Sequence, residues 1–134
     1  VGGVYQNYNI LIKGTAYKLT YECPSKHFFF YFIANMVGGG TVGVDGYSVY
    51  DIKPNIWSHF VVSVDLSSPS VRMFIEGDEI PFTVSGSSPL SWVINGTFVD
   101  DIVQNFGNNP DLIIGQGFLG VIDDFKIYRG AIGQ

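Results

Sequence analysis

Apolar and polar side chains alternate along much of the chain, and a two-residue period of this kind is typical of half-buried β-strands. Between residues 17 and 22, two tyrosines and a leucine alternate with lysine, threonine and glutamate. The segment 41–50 contains Gly43 and Gly46, which predict a bulge or a bend within a strand. The same patterns predict further strands at 9–13, 60–65, 71–76, 90–94, 112–114 and 121–128.

Turn residues separate these segments. Gly77 and Asp78 lie between two strand-like segments and predict a tight two-residue hairpin. Serine and proline at 67–70 and the three glycines at 38–40 predict two further connections. No segment repeats apolar residues at helical spacing over three turns, so the pattern indicates an all-β sandwich or barrel.

Composition and charge narrow the class of protein. Hydrophobic residues make up 46% of the chain and charged residues 14%, which excludes an intrinsically disordered chain. The length predicts one domain covering 1–134, and the start at Val1 predicts processing or a longer parent chain. The net charge of -5 argues against nucleic acid as a partner. The longest apolar run, 28–34, is far shorter than the about twenty residues of a spanning helix, so no membrane insertion is expected.

Two stretches in the second half of the chain carry a more specific pattern. The first begins with 57–65, which opens on Trp57 and His59 and continues as an apolar strand. It is followed by 71–77, a strand that ends in an acidic residue and glycine. The second consists of 112–115 and then 120–132, which runs Gly-Val-Ile-Asp-Asp-Phe-Lys-Ile-Tyr-Arg-Gly-Ala-Ile.

Together these stretches resemble the laminin-G-like domains of the concanavalin A-like lectin-glucanase superfamily. The resemblance covers 57–132, over half of the chain. It implies a jelly-roll sandwich of two antiparallel sheets, in which 28–36 is the long strand before the first hairpin. Such domains occur in lectins, adhesins, pentraxins, glycanases and virion surface proteins, and the fold alone does not choose among them.

The aromatic segment 28–32 places aromatic side chains on both faces of a strand. One interpretation is a central strand, buried by the core on one side and by another domain or subunit on the other. The other is a platform on which sugar rings stack, because aromatic faces pack on apolar sugar faces. The candidate ligand-binding residues are Tyr31, Tyr47, Tyr50 and Trp92, together with the loop amides of Asn108 and Asn109.

Carboxylates and amides crowd the segment 100–111. Carboxylate and amide oxygens are calcium ligands, so Asp100, Asp101 and Asp111 are the candidate metal ligands. No cofactor is otherwise expected. The alternative is an ordinary polar loop in which 108–111 form a turn.

Four residues are expected to have structural roles. At a strand start, Trp57 and His59 are predicted to pack and to cap a loop. Asp123 or Asp124 is predicted to accept hydrogen bonds from the backbone amides of a neighbouring loop, with calcium binding as the alternative.

A glycanase would need two suitably placed carboxylates. Glu76, Asp78 and Glu79 are close in sequence, but sandwich glucanases that resemble laminarinases carry three acids at i, i+2 and i+4 on one strand. Here the third acid falls at i+3, on the opposite face. The acids are therefore interpreted as a solvated hairpin tip, and no catalytic residue is predicted.

The leading hypothesis is a non-catalytic binding module, extracellular or exposed on a cell or virion surface. It would recognise glycan or a surface protein through loops at one end of the sandwich or through the concave sheet. The alternative is a structural module that holds neighbouring domains or subunits in a virion, fibre or adhesin. A glycoside hydrolase is the third and weakest hypothesis.

Overall fold

The computed structural model describes residues 6–14, 16–67, 70–85, 95, 97–98, 111–116, 118 and 120–127. This part of the chain contains ten β-strands and no helix. The strands are β1 (Gln6–Lys13), β2 (Tyr17–Cys23), β3 (His27–Asn35), β4 (Thr41–Val49), β5 (Phe60–Asp65), β6 (Ser70–Ile75), β7 (Asp78–Ile80), β8 (Thr83–Ser85), β9 (Thr97–Phe98) and β10 (Leu112–Ile114).

The strands form two antiparallel sheets. The large sheet has the order β10-β1-β2-β3-β4-β8, and β9 pairs with the end of β3. The small sheet has the order β5-β6-β7. The predicted all-β architecture of two antiparallel layers, consistent with a jelly-roll sandwich, is therefore confirmed.

The core lies between the two sheets and follows from the alternation within each strand. In β3, Phe28, Phe30 and Phe32 are buried, whereas the residues between them are half-buried on the opposite face. From the small sheet, Met73 of β6 is fully buried in the same core. The ring of Phe28 stacks on Phe60 of β5, with 4.5 Å between ring centroids. This contact joins the two layers.

The glycines of β4 do not mark a bulge, so that part of the prediction is wrong. β3 and β4 pair in continuous register from His27 opposite Val49 to Asn35 opposite Thr41. The shift in register lies instead between β1 and β2, at residues 9–11. At Gly43 and at Gly46, an aromatic side chain lies where a Cβ atom would otherwise be.

The hairpin between β6 and β7 turns one residue earlier than predicted. Ile75 pairs with Asp78, so the two turn residues are Glu76 and Gly77. Both have positive φ, 53° and 83°, as the mirror-image turns of tight hairpins require. The sequence predicted the glycine correctly but assigned it to the first turn position.

The predicted strand at 121–128 is not observed: residues 121–127 belong to no strand, and residue 128 lies outside the described residues. Asp124 has a φ of 57°, in the left-handed region, which interrupts the extended backbone that a strand needs. The predicted strand at 90–94 also lies outside the described residues. The other predicted strands are present, with ends shifted by a few residues.

Ser48 is a polar residue in the core and provides a stability test. It is 1% exposed, lies opposite Phe28, and its hydroxyl has no hydrogen-bond partner in the described structure. We expect Ser48→Ala to raise the free energy of unfolding by about 1 kcal/mol, because an unsatisfied buried hydroxyl is costly. Urea denaturation measures this change. Ser85→Ala is the control and should not stabilise, since the Ser85 hydroxyl bonds Asp45; a loss of stability in Ser48→Ala would contradict the prediction.

Candidate functional site

Aromatic side chains also occupy the face of the large sheet that points away from the small sheet, here called the outer face. His27, Phe29 and Tyr31 alternate with the buried phenylalanines of β3, and each is half-buried. Tyr47 of β4 lies opposite Phe29 and joins them. We call these four residues the aromatic patch.

Ring contacts hold most of the aromatic patch together. His27 stacks on Tyr47 with 4.7 Å between centroids and an interplanar angle of 26°. Phe29 contacts His27 at 5.5 Å and Tyr47 at 6.1 Å. Tyr31 lies across Gly43, since a Cβ on that glycine would be 2.8 Å from the Tyr31 hydroxyl oxygen. The glycine therefore allows the Tyr31 ring to cover β4.

Polar groups lie on both sides of Tyr31. The register places Lys18 of β2 on one side and Asp45 of β4 on the other. Both residues are exposed. Ser85 of β8 donates a hydrogen bond from its hydroxyl to Asp45 Oδ2 at 2.9 Å, and this contact holds the carboxylate in place.

The two faces of the central strands differ in charge. In β2, β3, β4 and β8, the charged residues Lys18, Glu22 and Asp45 all lie on the outer face. None lies on the inner face of these strands, which forms the core. The outer face thus combines aromatic rings with hydrogen-bond donors and acceptors, and this combination suits a partner that has apolar surfaces edged by polar groups.

The structure brings two of the predicted ligand-binding residues together, Tyr31 and Tyr47. Tyr50 is elsewhere: it follows β4, packs against the core, and its carbonyl accepts a 2.9 Å hydrogen bond from the Tyr21 hydroxyl. Burial raises the pKa of Tyr21, which keeps this hydroxyl a donor. Trp92, Asn108 and Asn109 lie outside the described residues.

His27 was not predicted as a member of this surface, and Phe29 was included only as part of the aromatic segment 28–32. Phe29 has the same parity as Tyr31 along β3, so alternation alone could have placed it on the outer face. The position of His27 beside Tyr47 depends on the pairing of β3 with β4, which no local pattern reveals.

The predicted calcium ligands remain a prediction. Asp100 and Asp101 lie outside the described residues, and Asp111 is exposed next to β10. Among the residues that the structure describes, no group of three or more acidic, histidine or cysteine side chains could hold a metal ion.

The expected packing of Trp57 is wrong, because its side chain is 67% exposed in the loop before β5. His59 does close that loop, but through its backbone. Its amide donates to the Glu76 carboxylate, and the Glu76 amide donates to the His59 carbonyl at 2.9 Å. The hairpin turn, rather than the Trp57 ring, therefore fixes the entry into β5.

Among the described residues, no neighbouring loop donates the predicted backbone hydrogen bonds to Asp123 or Asp124. Asp123 Oδ1 accepts a hydrogen bond from the adjacent Asp124 amide at 2.8 Å, and Asp124 lies 3.6 Å from the Lys126 ammonium. Both contacts are local because the segment is not in a sheet. The two carboxylates line an open depression of about 420 Å³ beside Phe118 and Phe125.

Of the three acids considered for catalysis, one forms a turn, one is exposed and one is bound to an arginine. Glu76 forms the turn, and Asp78 is exposed at the start of β7. Glu79 binds Arg72 through two contacts of 2.8 and 3.1 Å, and this guanidinium lowers the pKa of Glu79. A glycosidase general acid needs a raised pKa, so Glu79 does not fit that role.

Comparison with protein families gives one match. A family model described as the concanavalin A-like lectin/glucanases superfamily matches residues 2–134, almost the whole chain. Neither the curated proteins nor the solved structures give a match. In the described part of the chain there is no helix with the length and apolar character that crossing a membrane requires.

Proposed function

Because the chain belongs to the concanavalin A-like lectin/glucanase superfamily, we propose that it is a non-catalytic module that binds glycan through the aromatic patch. The family itself indicates a binding module. The observation that supports glycan binding is the position of Tyr31. Its half-buried ring covers Gly43 and lies between the charged groups of Lys18 and Asp45. The proposed setting is the exterior of a cell or a virion.

Sugar rings have apolar faces and hydroxyl groups at their edges, and the outer face offers a complement to both. Aromatic side chains pack on the apolar faces. The carboxylate of Asp45 accepts hydrogen bonds from hydroxyl groups, and the ammonium of Lys18 donates them. Ser85 already orients Asp45, so less conformational entropy is lost when the ligand binds.

The absence of a catalytic role is part of the proposal. It is supported by the Arg72–Glu79 ion pair, which favours the ionised form of Glu79, and by the use of Glu76 to close a turn. Neither carboxylate is free to protonate a leaving group, which glycoside hydrolysis requires.

Tyr31→Ala tests the proposal. A glycan array first identifies a ligand, with and without a chelator, so that the predicted calcium dependence is measured as well. We expect Tyr31→Ala to lower the affinity for that ligand at least tenfold, because one aromatic stacking contact is lost. Isothermal titration calorimetry measures the affinity.

Phe74→Ala is the matched control, since Phe74 is a half-buried aromatic residue beneath Arg72 on the small sheet. It should bind the ligand as the native chain does. A blank array across neutral and acidic glycans, or equal affinities for Tyr31→Ala and the native chain, would overturn the proposal.

A second candidate, a structural module in an assembly, is favoured by β10. Leu112, Ile113 and Ile114 are 37, 40 and 42% exposed on this strand, which ends the described order of the large sheet. An exposed apolar strand at a sheet edge can pair with a strand from a neighbour. Analytical ultracentrifugation tests this: concentration-dependent association abolished by Ile113→Lys supports it, and a monomer at high concentration excludes it.

A further inference from the structure

The β3 side of the aromatic patch continues along the strand into Ile33. We call the successive outer-face residues His27, Phe29, Tyr31 and Ile33 the β3 row. With a rise of about 3.3 Å per residue, these four positions span about 20 Å. A single sugar ring covers one aromatic side chain, so the apolar surface is longer than a monosaccharide needs.

In the described residues, both ends of this row are flanked by exposed positions. Beyond Ile33, the turn to β4 contains Gly38 and Gly39, which have no atom within 4 Å of a Cβ position. Beside His27, Val49 is 57% exposed. Among the described residues this surface has no wall at either end, which suits a chain that passes across it, whereas a pocket would select a terminal sugar.

Polar groups lie along the sides of the row. Lys18 and Asp45 flank Tyr31, and Thr83 lies beside Tyr47 on β8. Sugar hydroxyls project from the ring edges, so a chain that lies along β3 directs them towards β2 on one side and β4 and β8 on the other. The same chain turned across the strands would place hydroxyl groups over the aromatic rings.

The charges of the outer face favour an uncharged ligand. Its central strands carry one lysine, Lys18, and two carboxylates, Glu22 and Asp45. The chain as a whole has a net charge of -5. A polyanion such as a sulfated or uronic acid chain is repelled by this field.

Resting on the proposed function, we infer that the aromatic patch binds an internal segment of an uncharged oligosaccharide, with several consecutive rings lying along β3. Tyr31 forms the central subsite, where a sugar ring has both stacking and polar contacts. His27 forms an outer subsite, which only a longer chain reaches. The site is therefore selective for chain length.

A length series tests this inference. Neutral gluco-, xylo- and manno-oligosaccharides of one to six rings are titrated calorimetrically into the native chain. We expect affinity to rise at least tenfold between one ring and the length that fills the row, and then to level off. Reducing the end sugar to its open alditol should leave the affinity of the longest oligosaccharides unchanged, since an internal segment binds.

Two variants show which subsite is used. We expect His27→Ala to lower the affinity for the six-ring ligand at least threefold. The affinity for the shortest ligand that binds should be unchanged. Val61→Ala, on the exposed side of the small sheet, should change neither affinity and serves as the control. Melting curves establish that both variants are folded.

The outcomes separate this inference from the proposed function. If a monosaccharide binds as tightly as the six-ring ligand and Tyr31→Ala weakens both, glycan binding stands and the extended site is wrong. Tighter binding of sulfated or uronic acid oligosaccharides would contradict the inference that the ligand is uncharged. If no oligosaccharide of any length or charge binds, the proposed function and the inference both fail.

Discussion

Replacing Phe32 with alanine is expected to lower the free energy of unfolding by about 3 to 5 kcal/mol. Phe32 is 0% exposed and lies on the central strand of the large sheet, between Tyr17 of β2 and Val44 of β4. Its ring also packs against Phe30, 5.7 Å away between centroids. Truncation leaves a cavity that paired strands on both sides cannot collapse to fill.

Ile33→Ala is the matched control for Phe32→Ala. Ile33 is the next residue on β3, but it is half-buried on the outer face, so its truncation should cost about 1 kcal/mol. Urea denaturation compares the two variants. Because domains of this kind are stable by only about 5 to 15 kcal/mol, Phe32→Leu provides a milder variant if Phe32→Ala does not fold. Equal losses at the two positions would contradict the assigned inner face of β3.

Much of the fold could be predicted because the sequence pattern within most strands is enough to recognise them. Polar and apolar residues alternate within β2 and, apart from Phe74, within β6, and the burial of Leu19 and Met73 follows this alternation. β3 has no such alternation in its sequence, since it is apolar on both faces. Its aromatic residues on both faces indicated a central strand as one of two interpretations, the other being a platform for sugar rings, and the structure places β3 in the middle of the large sheet.

The errors occurred where structure depends on contacts that are distant in sequence or on a single backbone torsion. The segment 121–127 has the composition of a strand, but the left-handed φ of Asp124 breaks it. Trp57 was expected to pack because it lies at a strand start, whereas the backbone contacts of His59 with Glu76 fix its loop without the ring. Composition predicts which residues prefer burial, and only the three-dimensional arrangement determines which of them achieve it.

The candidate site was predictable in part for the same reason. Tyr31 and Tyr47 could be named from their residue type. Their grouping with Lys18 and Asp45 depends on the register of β2, β3 and β4, where a shift of one residue would move the tyrosines into the core. Register is a property of the paired strands and cannot be obtained from one strand alone.

Gly46→Ala is expected to lower the free energy of unfolding by about 3 kcal/mol, although alanine is ordinarily the better residue in a strand. A Cβ at this position would lie 2.4 Å from the Thr83 carbonyl oxygen and 2.5 Å from the Phe82 ring. The carbonyl belongs to the backbone of β8, so the methyl group can be accommodated only if β8 moves away from β4. Thermal and urea denaturation measure the loss.

Gly43→Ala, three residues earlier on the same strand, is expected to give a different result. The atoms that its Cβ would meet belong to the Tyr31 side chain, the nearest being the hydroxyl oxygen at 2.8 Å. A side chain on the outer face can turn away, so the stability should change by less than about 1 kcal/mol. The displaced Tyr31 ring should nevertheless weaken glycan binding. If Gly43→Ala unfolds the chain as Gly46→Ala does, the expectation that the Tyr31 side chain can turn away is wrong.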